Sequence, residues 1–273
     1  MDNLMNNVLY RDKYDELSAY VARTLDAGKM LALYDPENLI ECNSFADIDI
    51  ILISWIKERL LAEDLIAKLD DKNLCEICET RSRMHFGRKY AKIYGMLRNA
   101  YFIIRQANYE PLEGFEKIID RYVASDYMID RSYRDFYTNY DELEDTSGLE
   151  QLRELVENIY TNEYLGKLLP KWNDGLKEPN ALTVIPLQRD FFHKYVRLNK
   201  DRTVVIISNG MRFEVGSELF LRMKDNPKSK DSLSIKPMLS VLPSYTRLGM
   251  EALLPHKTLE LTDDFKELVD GKY

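Results

Sequence analysis

The sequence predicts a mainly α protein, with a helical region over residues 1–200 followed by a short α/β segment over 201–273. Three observations carry this reading. Phe45, Ile48, Leu52, Trp55 and Ile56 recur at spacings of three and four, the period of one face of an α-helix. Leu152, Leu155, Val156, Ile159, Tyr160 and Leu165 repeat that spacing later in the chain. After Lys200 the character changes: Thr203-Val204-Val205-Ile206-Ile207-Ser208 is a continuous β-branched run, as in strands buried on both faces.

In chain order, the first long helix is expected around Phe45–Ile56. Tyr90–Ile104 and Phe115–Tyr137 then mix aromatic and aliphatic residues with Arg, Lys and Asp, which suits amphipathic helices packed through Tyr and Phe. The stretch Asp141–Gly148 is acidic and aperiodic, hence a loop, and a second long helix follows it. Asn209-Gly210 closes the predicted strand Thr203–Ser208. Because Met211, Val215, Leu219, Phe220 and Met223 keep helical spacing, the expected order is strand, turn, helix and not a hairpin. A polar loop, Asn226–Asp231, leads to a second such unit: strand-like Leu233–Leu242, a turn at Pro243-Ser244-Tyr245 and a short helix over Thr246–Leu254. In open α/β sheets ligands bind where strands end and helices begin, so both turns are expected at the ligand edge.

The chain has 273 residues, 45% of them hydrophobic and 31% charged, a composition that buries a core. Its formal net charge of −8 excludes broad adhesion to nucleic acid or anionic membrane, which depends on neutralising phosphates, and leaves a local basic groove open. Three cysteines fit a reducing compartment, so the cytoplasm is expected. The start, Met1-Asp2-Asn3-Leu4-Met5-Asn6-Asn7, lacks the pattern of a secretory signal. The longest apolar run, around Ile48–Ile56, ends at Lys57, well short of the roughly 20 residues of a bilayer span, so no membrane partner is expected.

Two residues stand at the strand ends. Thr246 begins the last helix, where its hydroxyl serves either as a nucleophile beside a phosphate or as an ordinary N-cap, the more frequent role of such a residue. Asn209 ends the first predicted strand, either as a turn residue or as a neutral ligand in a place suited to an acidic one. Other candidates are weaker. Cys75 and Cys78 form a single CxxC with only Cys42 and His85 as nearby additional ligands, and two buried small residues on a helix is the commoner meaning. His193 and His256 have no recognisable Ser or Cys partner. The run Asp130-Arg131-Ser132-Tyr133-Arg134 is expected to make contacts within the helical region, given its acidic neighbours. There is no GxxxxGK[ST], GxGxxG or HExxH motif.

Val205–Val215 (VIISNGMRFEV) and Leu242–His256 (LPSYTRLGMEALLPH) resemble the PglZ family, as do the aromatic segment Tyr127–Phe136 and the lead-in Gln188–Phe192. The resemblance covers most of the chain. It implies an alkaline-phosphatase-like α/β core and a role in BREX-type bacterial defence against phage, in company with other BREX proteins. It further implies a divalent metal, zinc or manganese, with Thr246 at the nucleophile position and residue 209 at the first metal-ligand position. The family has Asp where this chain has Asn209, which weakens that ligand and leaves a chain without bound metal as the alternative. The superfamily's later Asp and His ligands and the family's additional N-terminal region are not found in the sequence. The chain is therefore expected to be an internal or truncated section, inactive alone as a phosphoester hydrolase, with a non-catalytic helical module binding other defence proteins as the alternative. Two strands without the rest of a sheet expose apolar surface, so the chain is also expected to form homo-oligomers or to dock its tail on the helices.

Overall fold

Ile48, Leu52, Ile56 and Leu60 follow one another at four-residue intervals and are all buried, which is why residues 47–61 form a helix pressed against a core along one stripe. The computed structural model describes residue 5 and residues 11–226 and 232–272. It forms two compact units, Met1–Glu110 with Ile129–Leu168, and Pro111–Met128 with Leu169–Tyr273. The start of the chain and, from residue 227, the expected polar loop lie outside the described residues, residue 5 aside.

The first unit is helical. It contains α1 (Arg11–Leu25), α2 (Ala27–Leu31), α3 (Asp47–Leu61), α4 (Leu74–Arg83) and α5 (Ala91–Ile104). A small antiparallel hairpin, β1 (Lys68–Leu69) and β2 (Lys72–Asn73), precedes α4, pairing Lys68 with Asn73 and Leu69 with Lys72. Its turn residues Asp70 and Asp71 both have positive φ, 47° and 60°, as a two-residue hairpin turn demands. The chain then enters α4 through a capping box: Asn73 accepts from the Glu76 backbone N–H, and Glu76 accepts from that of Asn73.

A charged group lies at the centre of this unit. Arg81 of α4 and Asp49 of α3 are fully buried and joined by two hydrogen bonds, Nε to Oδ1 at 2.9 Å and Nη2 to Oδ2 at 2.8 Å. Arg81 Nη1 also donates to the carbonyls of Ile40 and Cys42, and the Tyr94 hydroxyl donates to Asp49 Oδ1 at 2.6 Å. Burial first, and then the Asp49 charge, push the Tyr94 phenol upward, so it stays a donor. A Cβ on Gly87 would meet the Arg81 carbonyl oxygen at 1.8 Å, so only glycine fits there.

In the second unit α6 (Phe115–Arg121) runs into a π-helical turn, Tyr122–Asp126. Past it, α7 (Tyr127–Asp141) carries the aromatic segment, with Tyr133 and Tyr160 stacked in the first unit at 3.7 Å between ring centroids. Also in the first unit, α8 (Glu150–Asn158) is followed by another π-helical stretch, Ile159–Leu165, and then by α9 (Gly166–Gly175), most of which belongs to the second unit. Phe115, Ile119, Ala181 and Ile185 make the second unit's core, flanked by Trp172, Leu176 and Leu239. The unit closes with α10 (Phe213–Lys224), α11 (Thr246–Leu253) and an antiparallel hairpin of β3 (Leu259–Leu261) with β4 (Glu267–Val269).

The class is mainly α, and the predicted helices at 45–56, 90–104, 115–137, 152–165, 211–223 and 246–254 are present. The two predicted strands are not. Residues 203–207 carry no strand pairing, and Val204 and Ile206 are 77% and 89% exposed where burial on both faces was expected. Leu233–Leu242 contributes a single parallel bridge, Leu187 with Leu239. β-branched residues favour extended backbone, but a strand needs a neighbour to hydrogen-bond, and none lies beside 203–208 among the described residues.

Candidate active-site cleft

Residues 202–208, which form neither helix nor strand, deliver Asn209-Gly210, where Gly210 has φ of 68°, a left-handed turn conformation that favours glycine. The chain reverses there and α10 starts at Phe213. Further on, Pro243-Ser244-Tyr245 delivers the first residue of α11, Thr246. The structure brings these turns together: Thr246 Oγ1 donates to Asn209 Oδ1 at 3.4 Å, across 37 positions of sequence. Both side chains are exposed, on a cleft of about 490 Å³. Tyr245 occupies the N-cap position and makes no side-chain cap, so Thr246 is the first helical residue, not the cap that its position in the sequence favours.

The Thr246 turn is held from two sides. Gln188 accepts from the Val241 backbone N–H at 3.0 Å and donates to the Gly249 carbonyl at 3.1 Å, which ties the incoming strand-like segment to α11. The Tyr245 hydroxyl donates to Glu267 of β4, and Arg247 Nε lies 3.2 Å from the other oxygen of Glu267. Burial and the Glu267 carboxylate push the Tyr245 phenol up to about 12, and the same hydrogen bond leads in holding Glu267 below its ordinary value. Gln188 lies at the edge of the motif that the sequence singles out, whereas Glu267 carries no local signal at all; only the fold shows that it meets Tyr245.

The donor chemistry of the cleft is that of neutral oxygens. Its lining includes Ser208, Asn209, Ser240, Ser244 and Thr246, together with the cation Arg212, and no Asp, Glu, His or Cys. A zinc or manganese ion needs anionic or imidazole ligands to offset its charge, so these residues do not fit a divalent cation. Among the described residues no three His, Cys, Asp or Glu side chains gather as metal ligands.

The other candidates lie elsewhere. Cys75 and Cys78 are on α4; burial and Glu79 push the Cys75 thiol up to about 11, and burial raises that of the more deeply placed Cys78. Cys42 Sγ donates to the Asn38 carbonyl, and His85 Nε2 lies 2.5 Å from Asp15 Oδ1. His193 Nε2 donates to the carbonyl of His256, whose own Nδ1 donates to that of Leu254. Arg131 and Arg134 both pair with Asp135, within the helical region as expected.

Residues 189–272 match the family described as BREX system PglZ alkaline phosphatase-like domain, which includes both turns of the cleft. The chain is 31% identical to the alkaline phosphatase-like protein PglZ of Bacillus cereus (strain H3081.97), over 99% of its own length and 32% of the relative's. It is 28% identical to the alkaline phosphatase-like protein BrxZ of Escherichia coli O9:H4 (strain HS), over 92% of its length and 31% of that protein's. The chain belongs to the PglZ family of alkaline phosphatase-like BREX components. It spans about a third of the length of the curated relatives it matches. No solved structure matches it. Among the described residues no helix is long and apolar enough to cross a membrane.

Proposed function

We propose that this chain carries the nucleophile turn of a PglZ-type phosphoester hydrolase in BREX defence, with Thr246 at the nucleophile position and Asn209 at the first ligand position, and that it is catalytically silent as it stands. The observation that carries this is the approach of Thr246 to Asn209, two residues from separate motifs, at the mouth of one cleft. Silence follows from proton bookkeeping. The Thr246 hydroxyl donates to an amide oxygen, and the cleft offers no carboxylate or imidazole to take its proton. A divalent metal is general to alkaline phosphatase-like proteins, and an amide at 209 leaves this pair without the negative charge to hold one. The free cysteines fit work in a reducing cytoplasm beside other BREX proteins.

The test is hydrolysis of p-nitrophenyl phosphate and bis(p-nitrophenyl) phosphate, each with zinc or manganese, alongside calorimetric titration of the metals into the chain and its Asn209→Asp variant. No turnover is expected, with metal bound by the Asp variant alone. Turnover by the unmodified chain that Thr246→Ala abolishes overturns the silent reading. Absence of metal binding in both forms overturns the assignment of residue 209.

A second reading, a helical module that docks another defence protein, is favoured by the first unit's own surface. An apolar groove of about 340 Å³ is lined by Leu25, Met30, Tyr34 and Phe45, and Leu33, next to Tyr34 in the sequence, is 87% exposed. Loss of co-elution with BREX proteins in a Met30→Lys, Tyr34→Glu variant of unchanged helicity supports that reading, and retention refutes it.

A further inference from the structure

Of the chain's asparagines, Asn209 alone is followed by glycine. The pair forms an exposed turn in which Gly210 has φ of 68°, and nothing lies within 4 Å of where a Cβ on it would stand. Asparagine is chemically labile, and its lability depends on how closely the next backbone nitrogen can approach its side-chain carbonyl carbon. A glycine on a turn free of neighbours puts the least in the way of that approach. Among the described residues the Gly210 N–H makes no hydrogen bond, and neither does the Asn209 amide nitrogen. By contrast Asn99, Asn139 and Asn173 lie inside helices, where the hydrogen-bond ladder holds the following nitrogen in place. The contact that the Asn209 side chain does make favours attack on it: the Thr246 hydroxyl donates to Oδ1 at 3.4 Å and draws electrons from the carbonyl carbon.

We infer that Asn209 is a site of self-modification, an amide that the folded turn converts to a carboxylate with water alone and with help from the Thr246 hydroxyl. The Gly210 nitrogen, giving up its proton to solvent, bonds to Asn209 Cγ; the bond from Cγ to the side-chain nitrogen breaks, ammonia leaves and a succinimide ring remains. Water then opens the ring. Aspartate results when the Gly210 nitrogen parts from Cγ, and isoaspartate when it parts from the backbone carbonyl carbon. Water enters and ammonia leaves, so no oxidant or cofactor is needed. Aspartate sets a carboxylate beside Thr246, whereas isoaspartate lengthens the main chain at the turn; either adds negative charge to a cleft whose lining otherwise carries only the charge of Arg212. The consequence for metal rests on the reading of residue 209 as a ligand position: the chain is made silent, and its aspartate fraction gains the missing anionic oxygen with age.

The experiment incubates the freshly purified full chain in neutral and in mildly alkaline buffer and follows Asn209 by ion-exchange chromatography and peptide mass spectrometry, beside a synthetic peptide of residues 205–215. The expected result is that Asn209 converts before any other asparagine, no more slowly than in the free peptide, and faster in the alkaline buffer, where the attacking nitrogen loses its proton more readily. Thr246→Val, close in size and at a position that does not cap α11, is expected to slow the conversion about threefold or more, the worth of one hydrogen bond to the carbonyl. Asn209→Gln, with a side chain one methylene longer, is expected to keep its amide and so assigns the signal. Retention of the Asn209 amide in the folded chain while the peptide converts overturns the inference, as does a Thr246→Val rate equal to the parent's. Conversion is read from mass and charge, apart from metal binding. Calorimetric titration of fresh and aged chain with zinc or manganese therefore separates the two ideas: binding by fresh chain refutes the silent reading, and aged chain rich in aspartate that binds no metal refutes the ligand role of residue 209, without touching the measured conversion.

Discussion

Replacing Arg81 by methionine removes the cation from the centre of the helical unit and leaves Asp49 as a buried carboxylate held only by the Tyr94 hydroxyl. Both members of the pair are fully buried, so water cannot substitute for the lost donors. The carbonyls of Ile40 and Cys42 lose their partner at the same time. Breaking one side of a buried pair costs about 3–5 kcal/mol, which for a unit of this size lowers Tm by roughly 6–20 °C. Two tryptophans allow the units to be followed separately, Trp55 in α3 and Trp172 in α9. Urea unfolding of a Trp172→Phe background, read by Trp55 fluorescence, therefore reports the unit that contains Arg81. Tyr94→Phe is expected to cost less, about 1–2 kcal/mol, because Asp49 keeps both bonds to Arg81. The double replacement Asp49→Leu, Arg81→Met is expected to recover much of the loss, since no orphaned charge remains. An Arg81→Met variant within about 1 kcal/mol of the parent would refute the claim that this pair is the unit's buried electrostatic centre.

Three further outcomes are expected. Gly87→Ala forces its Cβ against the Arg81 carbonyl oxygen and should cost at least about 2 kcal/mol in the same urea assay. Burial opposes the charge on Asp15, but hydrogen bonds from His85 and Lys89 outweigh it and hold the carboxyl below 3.8. Its contribution is thus present above that value and lost as pH falls through the lower folded pKa, so the stability gap between the parent and Asp15→Asn should close in acid, as measured by unfolding between pH 7 and pH 2. Val204 and Ile206 are exposed on a segment without strand pairing, so sedimentation should show self-association at high protein concentration, reduced by Val204→Thr with Ile206→Thr. A chain that stays monomeric throughout would exclude that route.

What the sequence makes readable follows from which physical signal is local. Helices at 47–61, 91–104 and 150–158 announce themselves because one buried stripe imposes a spacing of three to four residues. Asp49 is also visible, a charge inside the apolar run Ile48–Ile56, but its partner Arg81 stands 32 residues away and only the fold joins them. The run Thr203–Ser208 misleads for the complementary reason: its side chains specify an extended backbone and say nothing of a neighbouring strand. The β3–β4 hairpin escapes notice because its strands are three residues long and its turn is closed by Thr262, whose hydroxyl accepts from the Lys266 N–H, without an Asn-Gly signal. Both residues of the candidate site are readable as turn positions ahead of helices, although the strands expected before them do not form, whereas Gln188 and Glu267 acquire their roles only when the turns meet.

Geometry and charge are separable at this cleft, and that is what makes one substitution informative. Thr246 is positioned by Tyr245 on Glu267 and by Gln188 on Gly249, contacts that do not involve residue 209. Asn209 is set by the turn at Gly210, a backbone conformation equally available with Asp in its place. Exchanging amide for carboxylate therefore alters the field in the cleft while the scaffold around it stays as it is. If metal binding appears only on Asn209→Asp, the ligand preference of the site is set by that one charge, and the surrounding fold is unchanged by it. If metal binding is unmoved, residue 209 is not a ligand position, and the approach of the two turns is a packing contact alone.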